Sequence, residues 1–417
     1  MDNPPTPSIT LYGAYWCPDC RRSKQFLGEH QIPYAWVDIE EDPEAEEFVI
    51  QKNEGKRIIP TIVFEDGSFL VEPSNADLAK KLGLKTTASR TFYDVIIVGG
   101  GPAGLTTALY TAREGIDTLV IERGAFGGQA AATEKLDNLP GFPEGIQGID
   151  FAGRLRQQAE KFGVELLQAQ DIVSMHSHGN YHCVITGDGS KYSAHALLIA
   201  TGSRYRRLNV PGENDYIGAG VHFCATCDGP FYRGKNVAVV GAGNSATEES
   251  LLLTKFADRV TILARGDHFT ASQVIQESVL NAPDIDVRWN TEVIEFKGAQ
   301  SKLNTLVLRD RTSGDVSEMS VDGAFIFIGL DPNTGFLTES GVRLNEWGFI
   351  ITGHSLVHNA DERPAGFAHR DPTMQETSIP GIFAAGDVRQ GSTKQVASAA
   401  GEGAAVALEI REYLKRV

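Results

Sequence analysis

The hydrophobic and polar positions of the chain fall into differently patterned stretches. Between residues 8 and 85 short apolar runs alternate with amphipathic ones: SITLYG, CPDCRRSKQFLGEH, AWVDIE, PEAEEFVIQKNE, the pair PTIVF and SFLVE around Asp66-Gly67, and NADLAKKLG. This order predicts strand, helix, strand, helix, hairpin and helix, β-α-β-α-β-β-α. Pro43 opens the second helix with acidic residues in its first turn, and Asn75 is placed to cap the last one. Lys85 to Thr91, KTTASRT, has no apolar periodicity and reads as a linker. A flexible segment of that length holds its ends roughly 15 Å apart.

From Phe92 the pattern changes to apolar strands followed by glycine-rich turns, and it repeats. Val95-Ile96-Ile97-Val98-Gly99-Gly100-Gly101-Pro102-Ala103-Gly104 recurs 142 positions later as Val237-Ala238-Val239-Val240-Gly241-Ala242-Gly243-Asn244-Ser245-Ala246. Each copy joins a strand, a G-x-G-x-x-[G/A] turn and a small-residue helix start, the arrangement that sets a pyrophosphate against free backbone N–H groups. One such fingerprint is a weak signal. Two of them, each behind a β-branched strand, predict two dinucleotide-binding units. Glu122 ends the strand TLVIE, 23 positions after Gly99, where a carboxylate accepts hydrogen bonds from ribose hydroxyls, so this unit suits FAD or NAD. The second unit has Arg265 in Leu263-Ala264-Arg265-Gly266, suited to a 2′-phosphate, with Asp267 near enough to leave NADH open.

The 417 residues correspond to about three domains. With 41% hydrophobic and 22% charged residues, the chain can bury sizeable cores. The 38 basic and 54 acidic side chains leave a formal charge of −16, which repels phosphate backbones and anionic lipids, so neither nucleic acid nor a membrane is an expected partner. Met1 to Pro7 show no basic run followed by an apolar stretch, and a cytoplasmic address is the expectation. The uncharged run Val95 to Ala112 has membrane-helix length, but Gly99 to Pro102 interrupt it, so it reads as strand, turn and helix.

The five cysteines are Cys17 with Cys20, Cys224 with Cys227, and Cys183 in the alternating strand YHCVIT, where it reads as a small buried residue. In a reducing compartment C-x-x-C pairs serve catalysis or metal binding more than structure. An all-cysteine zinc site would need both pairs, which lie in separately patterned domains. His354, His358 and His369 lie in a polar stretch without clear ligand spacing, so no metal is expected. Trp16-Cys17-Pro18-Asp19-Cys20 falls where a strand ends and a helix begins. There the helix dipole favours a thiolate and predicts Cys17 as the more acidic, exposed nucleophile. Arg21 and Arg22 add positive charge and Asp19 opposes it. Ile59-Pro60 precedes a strand, and a cis proline there offers a backbone edge on which a partner docks beside Trp16 and Pro18. Asp228, directly after Cys227, is a carboxyl able to shuttle protons for that pair.

GGGPAG, the GGQ of Gly127 to Gln129, the ATG of Ala200 to Gly202, CATCDG at Cys224 to Gly229, GAGNSA, and GIFAAGD at Gly381 to Asp387 together resemble the bacterial low-molecular-weight thioredoxin reductases. The resemblance covers about 320 residues, from Phe92 to the C-terminus. It implies an FAD domain in two pieces, 92–206 and 328–417, with an NADPH domain, 207–327, inserted between them and carrying the redox cysteines. It assigns flavin contacts to Gly99, Gly101, Gly104, Glu122, Gln129, Asn138, Thr201, Gly202, Gly386 and Asp387, and to Lys394-Gln395-Val396 in place of the family's Arg-Gln-Val. The nicotinamide nucleotide falls to Gly241, Gly243, Asn244, Ser245, Ala246 and Arg265. The family's arginine-rich clamp reads Ala264-Arg265-Gly266-Asp267-His268-Phe269-Thr270 and keeps one of three arginines. By the same resemblance Cys227 faces the flavin, Cys224 attacks the partner disulfide, and the enzyme is a homodimer.

Residues 1–85, ahead of a linker at 86–91, resemble the glutaredoxins, and FEDGSFLVEPSNADLAKKL is especially similar to the mycoredoxins. Where glutaredoxins often carry a Gly-Gly pair that seats glutathione, this chain has Ser74-Asn75. The expected fold is therefore α/β: a thioredoxin-like domain ahead of a flavoprotein with two dinucleotide-binding domains. The expected function is disulfide reduction, with electrons passing from NADPH through FAD and Cys224-Cys227 to Cys17-Cys20, and then to a protein or low-molecular-weight disulfide. The inserted domain would swing on hinges near residues 205–210 and 325–330. Three other readings stay open on the residues: a flavoprotein serving a peroxiredoxin, as in alkyl hydroperoxide reductase; a reductase fed by NADH or ferredoxin; and a non-catalytic redox sensor.

Overall fold

Burial alternates along the first strand, β1 (Ile9–Gly13), so that Ile9, Leu11 and Gly13 face a core. In the computed structural model, which describes residues 9–29, 32–133, 135–299, 302–357 and 363–417, the next elements are α1 (Pro18–Glu29), β2 (Ala35–Asp38), α2 (Pro43–Lys52), β3 (Thr61–Phe64), β4 (Phe69–Val71) and α3 (Asn75–Lys81). Met1 to Pro7 and His358 lie outside the described residues. The sheet order is β2-β1-β3-β4, with β1 parallel to β2 and antiparallel to β3. This is the thioredoxin-like arrangement predicted from the pattern. Leu11, Phe26, Leu27, Ile62 and Leu78 close its core.

The helix starts follow local hydrogen bonding. Asp42 caps α2, its carboxylate accepting from the N–H groups of Glu44 (3.0 Å) and Ala45 (3.1 Å), with Pro43 in the first turn. The cap of α3 is Ser74 rather than the expected Asn75. Its hydroxyl accepts from the Asp77 N–H and the Asp77 carboxylate accepts from the Ser74 N–H, a capping box that satisfies two donors reciprocally.

The segment from Lys85 to Thr91 is bound along its length. The Lys85 carbonyl accepts from the Gln168 N–H (3.0 Å) and the Lys85 ammonium pairs with Glu165 (2.6 Å). Glu165 also accepts from the Ser89 N–H and hydroxyl, both at 2.7 Å, and Tyr192 accepts from the Ala88 N–H. These are polar contacts to distant residues, which a search for apolar periodicity does not register.

Beyond it, β5 (Phe92–Val98), α4 (Pro102–Arg113) and β6 (Thr118–Ile121) form the first fingerprint unit. Their sheet runs in the order 172–178, 181–186, 191–199, β5, β6 and 165–167, and strand 382–384 pairs in parallel with residues 197–199. Ile96, Leu197 and Ile382 pack on one face of it, Ile97, Leu198 and Phe383 on the other. The second fingerprint belongs to a five-stranded parallel sheet in the order 221–222, 323–326, 236–240, 259–263, 285–288, joined by a three-stranded antiparallel sheet of residues 291–320.

The chain divides into two compact units. The first comprises the chain through Thr133 together with Gln147–Gly202 and Asn333–Val417; the second comprises Glu134–Ile146 and Ser203–Pro332. Among the described residues no helix is long and apolar enough to cross a membrane.

Candidate active site: two cysteine pairs and two nucleotide cradles

Cys17 sits immediately ahead of α1, its N–H donating to the Ala14 carbonyl (3.1 Å). Its sulfur accepts from the Cys20 N–H at 3.1 Å, so a helix N-terminal donor is aimed at the thiol. Both thiols are free in this structure. Cys17 is not the exposed group expected: it is 4% exposed and Cys20 0%, because Ala14, Ile39, Ala45 and Ile59 close around them. What is exposed is the rim, Tyr15, Trp16 and Pro18, while Ile59 and Pro60, joined by a cis peptide, are buried beside the Cys17 sulfur. Burial, with a hydrogen bond to Cys17, pushes the Cys20 thiol up to about 12. Cys20 therefore stays protonated at neutral pH. Arg22 pairs with Asp19 and donates to the Pro73 carbonyl (2.8 Å), so its charge is engaged away from the thiols.

The first cradle forms where β5 meets α4. A Cβ on Gly104 would press into the Gly99 carbonyl, and one on Gly99, whose φ is +106°, into the Ala200 carbonyl. Only glycines let the strand, the turn and the helix approach this closely. Gly101 caps α4 with open space beside it. The Glu122 carboxylate accepts from the N–H groups of Gly100 (2.7 Å) and Gly124 (2.9 Å), and desolvation pushes its carboxyl up despite those bonds. Such a desolvated acceptor beside free helix N–H groups fits an adenosine ribose and pyrophosphate.

Other residues assigned to the flavin lie in the same unit. Thr201 and Gly202 follow strand 191–199, and Gln129 lies in the short helix 128–132. Gly386 and Asp387 follow strand 382–384; burial pushes the Asp387 carboxyl up, opposed by Lys394. Lys394, at φ +57°, donates to the Asp387 carbonyl (2.7 Å) and lies over the Phe349 ring (4.5 Å). Gln395 caps the last helix, which Val396 begins. Asn138 is set apart: it lies in the segment 134–146 that groups with the second unit.

One further participant was missed. Glu402 accepts from the Gly386 N–H (2.8 Å) and pairs with Arg389 (2.8 Å), both side chains largely buried, so it anchors the turn carrying Asp387. Its signal was available: it is the one charged residue between Val396 and Leu408.

In the second unit the cysteines form a disulfide, Cys224–Cys227, across the short helix Ala225–Asp228, and the Cys227 N–H donates to the Cys224 sulfur (3.1 Å). Asp228 is half-buried at the end of that helix. Gly241 and Gly243 shape the second cradle, Gly243 capping the helix Asn244–Leu253. Asn244 accepts from the Ser272 N–H (2.8 Å), Ser245 is exposed and Ala246 is buried. The Arg265 side chain is exposed, and its carbonyl accepts from the Arg311 guanidinium (2.9 Å). Arg311, in the turn after strand 302–310, is a participant that no motif in the sequence marks. A hydrogen bond from His268 holds the Asp267 carboxyl below its ordinary range.

Among the described residues no group of three or more His, Cys, Asp or Glu is arranged to hold a metal ion. Cys183 is half-buried and free.

Two fingerprinted units and a disulfide inside the second define a flavoprotein disulfide reductase. A family model described as pyridine nucleotide-disulphide oxidoreductase matches residues 93–403, and one described as glutaredoxin matches residues 9–70. The chain belongs to the pyridine nucleotide-disulphide oxidoreductase family and carries a glutaredoxin domain fused in front. Its relatives include the thioredoxin reductases of Treponema pallidum and Bacillus subtilis, each 38% identical over 324 and 325 residues, which is 78% of this chain and 98% and 96% of theirs. The solved structure of the thioredoxin reductase from Streptococcus pyogenes matches with a TM-score of 0.70 at 37% identity, covering 79% of this chain and 100% of that one. Within the family, then, this is an enzyme of the thioredoxin reductase type, an oxidoreductase using FAD and NADPH.

Proposed function

We propose that the enzyme reduces disulfides by an internal relay in which Cys224-Cys227 passes electrons to the fused Cys17-Cys20 pair, and Cys17 passes them to an outside protein or low-molecular-weight disulfide. The observation carrying this reading is the presence in one chain of two C-x-x-C pairs, each at the start of a helix with the N–H of its second cysteine donating to the sulfur of its first, at 3.1 Å in both.

Gly99, Gly101, Gly104 and Glu122 would hold the FAD pyrophosphate and ribose, with Thr201, Gly202, Gln129, Asp387 and Lys394-Gln395-Val396 completing its site. Gly241, Gly243, Asn244, Ser245, Ala246 and Arg265 would hold NADPH. When bound, FAD supplies a two-electron carrier between the nicotinamide and the Cys224–Cys227 disulfide. The remaining steps are thiol chemistry. The Cys224 thiolate attacks a Cys17–Cys20 disulfide and Cys227 resolves the mixed disulfide, closing Cys224–Cys227 again. Cys17 then attacks the client, and Cys20, protonated until it acts, resolves that intermediate. Overall NADPH, one proton and a disulfide become NADP⁺ and two thiols.

Fusion raises the effective concentration of the redoxin to roughly the millimolar range. The exposed Tyr15, Trp16 and Pro18 beside Cys17 form the docking rim for the client. A homodimer and a cytoplasmic address belong to the same proposal, supported by the family resemblance.

The test is anaerobic stopped-flow absorbance of the flavin on mixing holoenzyme, with both cysteine pairs first oxidised to disulfides, with excess NADPH, followed by thiol trapping. Bleaching, with new thiols at Cys224, Cys227, Cys17 and Cys20, is the expected result. Bleaching with thiols confined to Cys224 and Cys227 would overturn the relay, and absence of bleaching would overturn the nicotinamide-driven reading.

A further inference from the structure

Beside the Cys224–Cys227 disulfide runs a line of buried polar groups that neither nucleotide cradle uses. His222 ends the short strand Val221–His222, two positions before Cys224, and is 8% exposed. Its Nε2 lies 2.6 Å from the Tyr232 hydroxyl and its Nδ1 lies 3.4 Å from Asp228 Oδ2. Tyr232 is buried edge-on to Phe325, with ring centroids 5.4 Å apart. Of the three side chains only Asp228 reaches the open end of the line, next to Cys227.

A neutral imidazole carries one donor and one acceptor nitrogen, and Tyr232 engages only Nε2. Here Nε2 meets the tyrosine hydroxyl at hydrogen-bond distance and Nδ1 meets a carboxylate oxygen at ion-pair distance. With the carboxylate ionised, Nδ1–H points at Asp228 and Tyr232 donates to Nε2. With the carboxyl protonated, its O–H points at Nδ1 and Nε2–H donates to the tyrosine oxygen. The Tyr232 hydroxyl can donate or accept, so the imidazole can turn either a donor or an acceptor toward Asp228.

We propose that His222, backed by Tyr232, is a positioning residue for proton transfer at Asp228 during client reduction. This rests on reading Asp228 as the proton donor for the dithiol. The Cys224 thiolate attacks a disulfide RS–SR′; one S–S bond forms as the other breaks, and R′S⁻ leaves with the electron pair and takes the Asp228 proton. Cys227 gives its thiol proton to Asp228 and attacks the Cys224 sulfur, closing the enzyme disulfide. RS⁻ leaves and takes that proton. The dithiol loses two electrons, the client gains two, and both released thiols are protonated.

The other charged groups facing the line are Asp322, which with Asp228 adds to the effect of burial in raising the Tyr232 hydroxyl, and Lys235, whose ammonium lies 5.2 Å from the Tyr232 ring centroid. Neither touches His222.

The test uses full-length holoenzyme carrying Cys17→Ser and Cys20→Ser, so that small disulfides react at Cys224 itself. Two substrates are compared: a dialkyl disulfide, whose leaving thiol must be protonated, and a nitrobenzoate disulfide, whose leaving thiolate needs no proton at neutral pH. Asp228→Asn is expected to lower dialkyl turnover about 100-fold relative to nitrobenzoate turnover, His222→Asn about tenfold, and Tyr232→Phe by less in the same direction. NADPH bleaching of the flavin reports that each variant is folded and loaded, and Tyr232→Phe, which keeps the packing, serves if His222→Asn does not fold. Selectivity in Asp228→Asn with equal losses on both substrates in the other two variants would overturn the role of His222 and leave Asp228 in place. No selectivity in Asp228→Asn would overturn the reading of Asp228, and this proposal with it.

Discussion

Thr201 and Asn333 exchange a reciprocal pair of hydrogen bonds: the Thr201 hydroxyl donates to the Asn333 carbonyl and the Asn333 amide donates to the Thr201 carbonyl, both at 2.8 Å. These residues stand next to two of the four points where the chain passes from one unit to the other, after Gly202 and after Pro332. On the far side the ribbon continues, with Ser203–Tyr205 antiparallel to Leu330–Pro332 and Arg206 paired with Asp331 at 2.7 Å. These two crossings are thus tied to each other by hydrogen bonds on both sides. Asn333→Ala removes one side-chain donor, worth about 1 kcal/mol. The expected outcome is roughly fivefold faster amide exchange in peptides spanning 201–206 and 329–333, with β5 unchanged. Hydrogen-exchange mass spectrometry checks it, and equal rates in both proteins would show the pair to be incidental.

The second cradle carries a predicted preference that a binding measurement can read. Arg265 is exposed, its backbone is fixed by Arg311, and Asp267 two residues on is held ionised by His268. One arginine in a site that also holds a carboxylate gives the 2′-phosphate partial recognition. Arg265→Ala should weaken NADPH about tenfold, near 1.4 kcal/mol, and change NADH by less than about twofold. Asp267→Asn should tighten NADPH. Titration calorimetry on the oxidised holoenzyme measures both, and equal losses for the two nucleotides would remove Arg265 from phosphate recognition.

What was legible in the chain was what short spacings encode. The redoxin order, the two glycine fingerprints and both C-x-x-C pairs depend on neighbours within a turn or two, so they stand in the sequence as patterns. The Ser74 cap was equally local and was misplaced by one residue, because Asn75 satisfies the same preference and only the bond to Asp77 decides between them. Cys17 reads as exposed from its helix-start position, yet Ile39 and Ile59, more than twenty residues away, bury it. His222, Arg311 and the bound linker share that reason. Each acts through a partner brought near by the fold, and no periodicity marks it.

Glu165 is the anchor of the connection between redoxin and flavoprotein. Burial raises its carboxyl, but hydrogen bonds from Lys85, Tyr93 and Ser89 outweigh this and hold it at about 2. A carboxyl lowered in the fold stabilises above its ordinary value and loses that contribution as pH falls toward the folded one. The anchor is therefore intact at neutral pH and released between about 4.5 and about 2. Glu165→Gln should release it at neutral pH, costing about 2 kcal/mol locally. Tryptic cleavage at Lys85 and Arg90 should then quicken by more than tenfold. Pepsin cleavage of the wild-type segment should rise across the acid window and that of the variant should not. Equal tryptic rates would mean the segment is held by other contacts.

His182 sets an acid limit on the first unit. It is 2% exposed, its Nδ1 lies 2.9 Å from the Ser177 hydroxyl, and burial pushes it down to about 4 from an ordinary 6.5. Between those values the unfolded chain binds a proton that the folded chain refuses, so stability falls as pH is lowered through the window and levels off below it. The largest contribution of this one residue is roughly 3 kcal/mol. His182→Gln keeps a polar group for Ser177 and removes the titration. The wild-type urea midpoint should thus fall more steeply than that of the variant between about 6.5 and about 4. Both proteins should share the same slope above that window. Parallel curves throughout would show that His182 does not set the acid sensitivity of this unit.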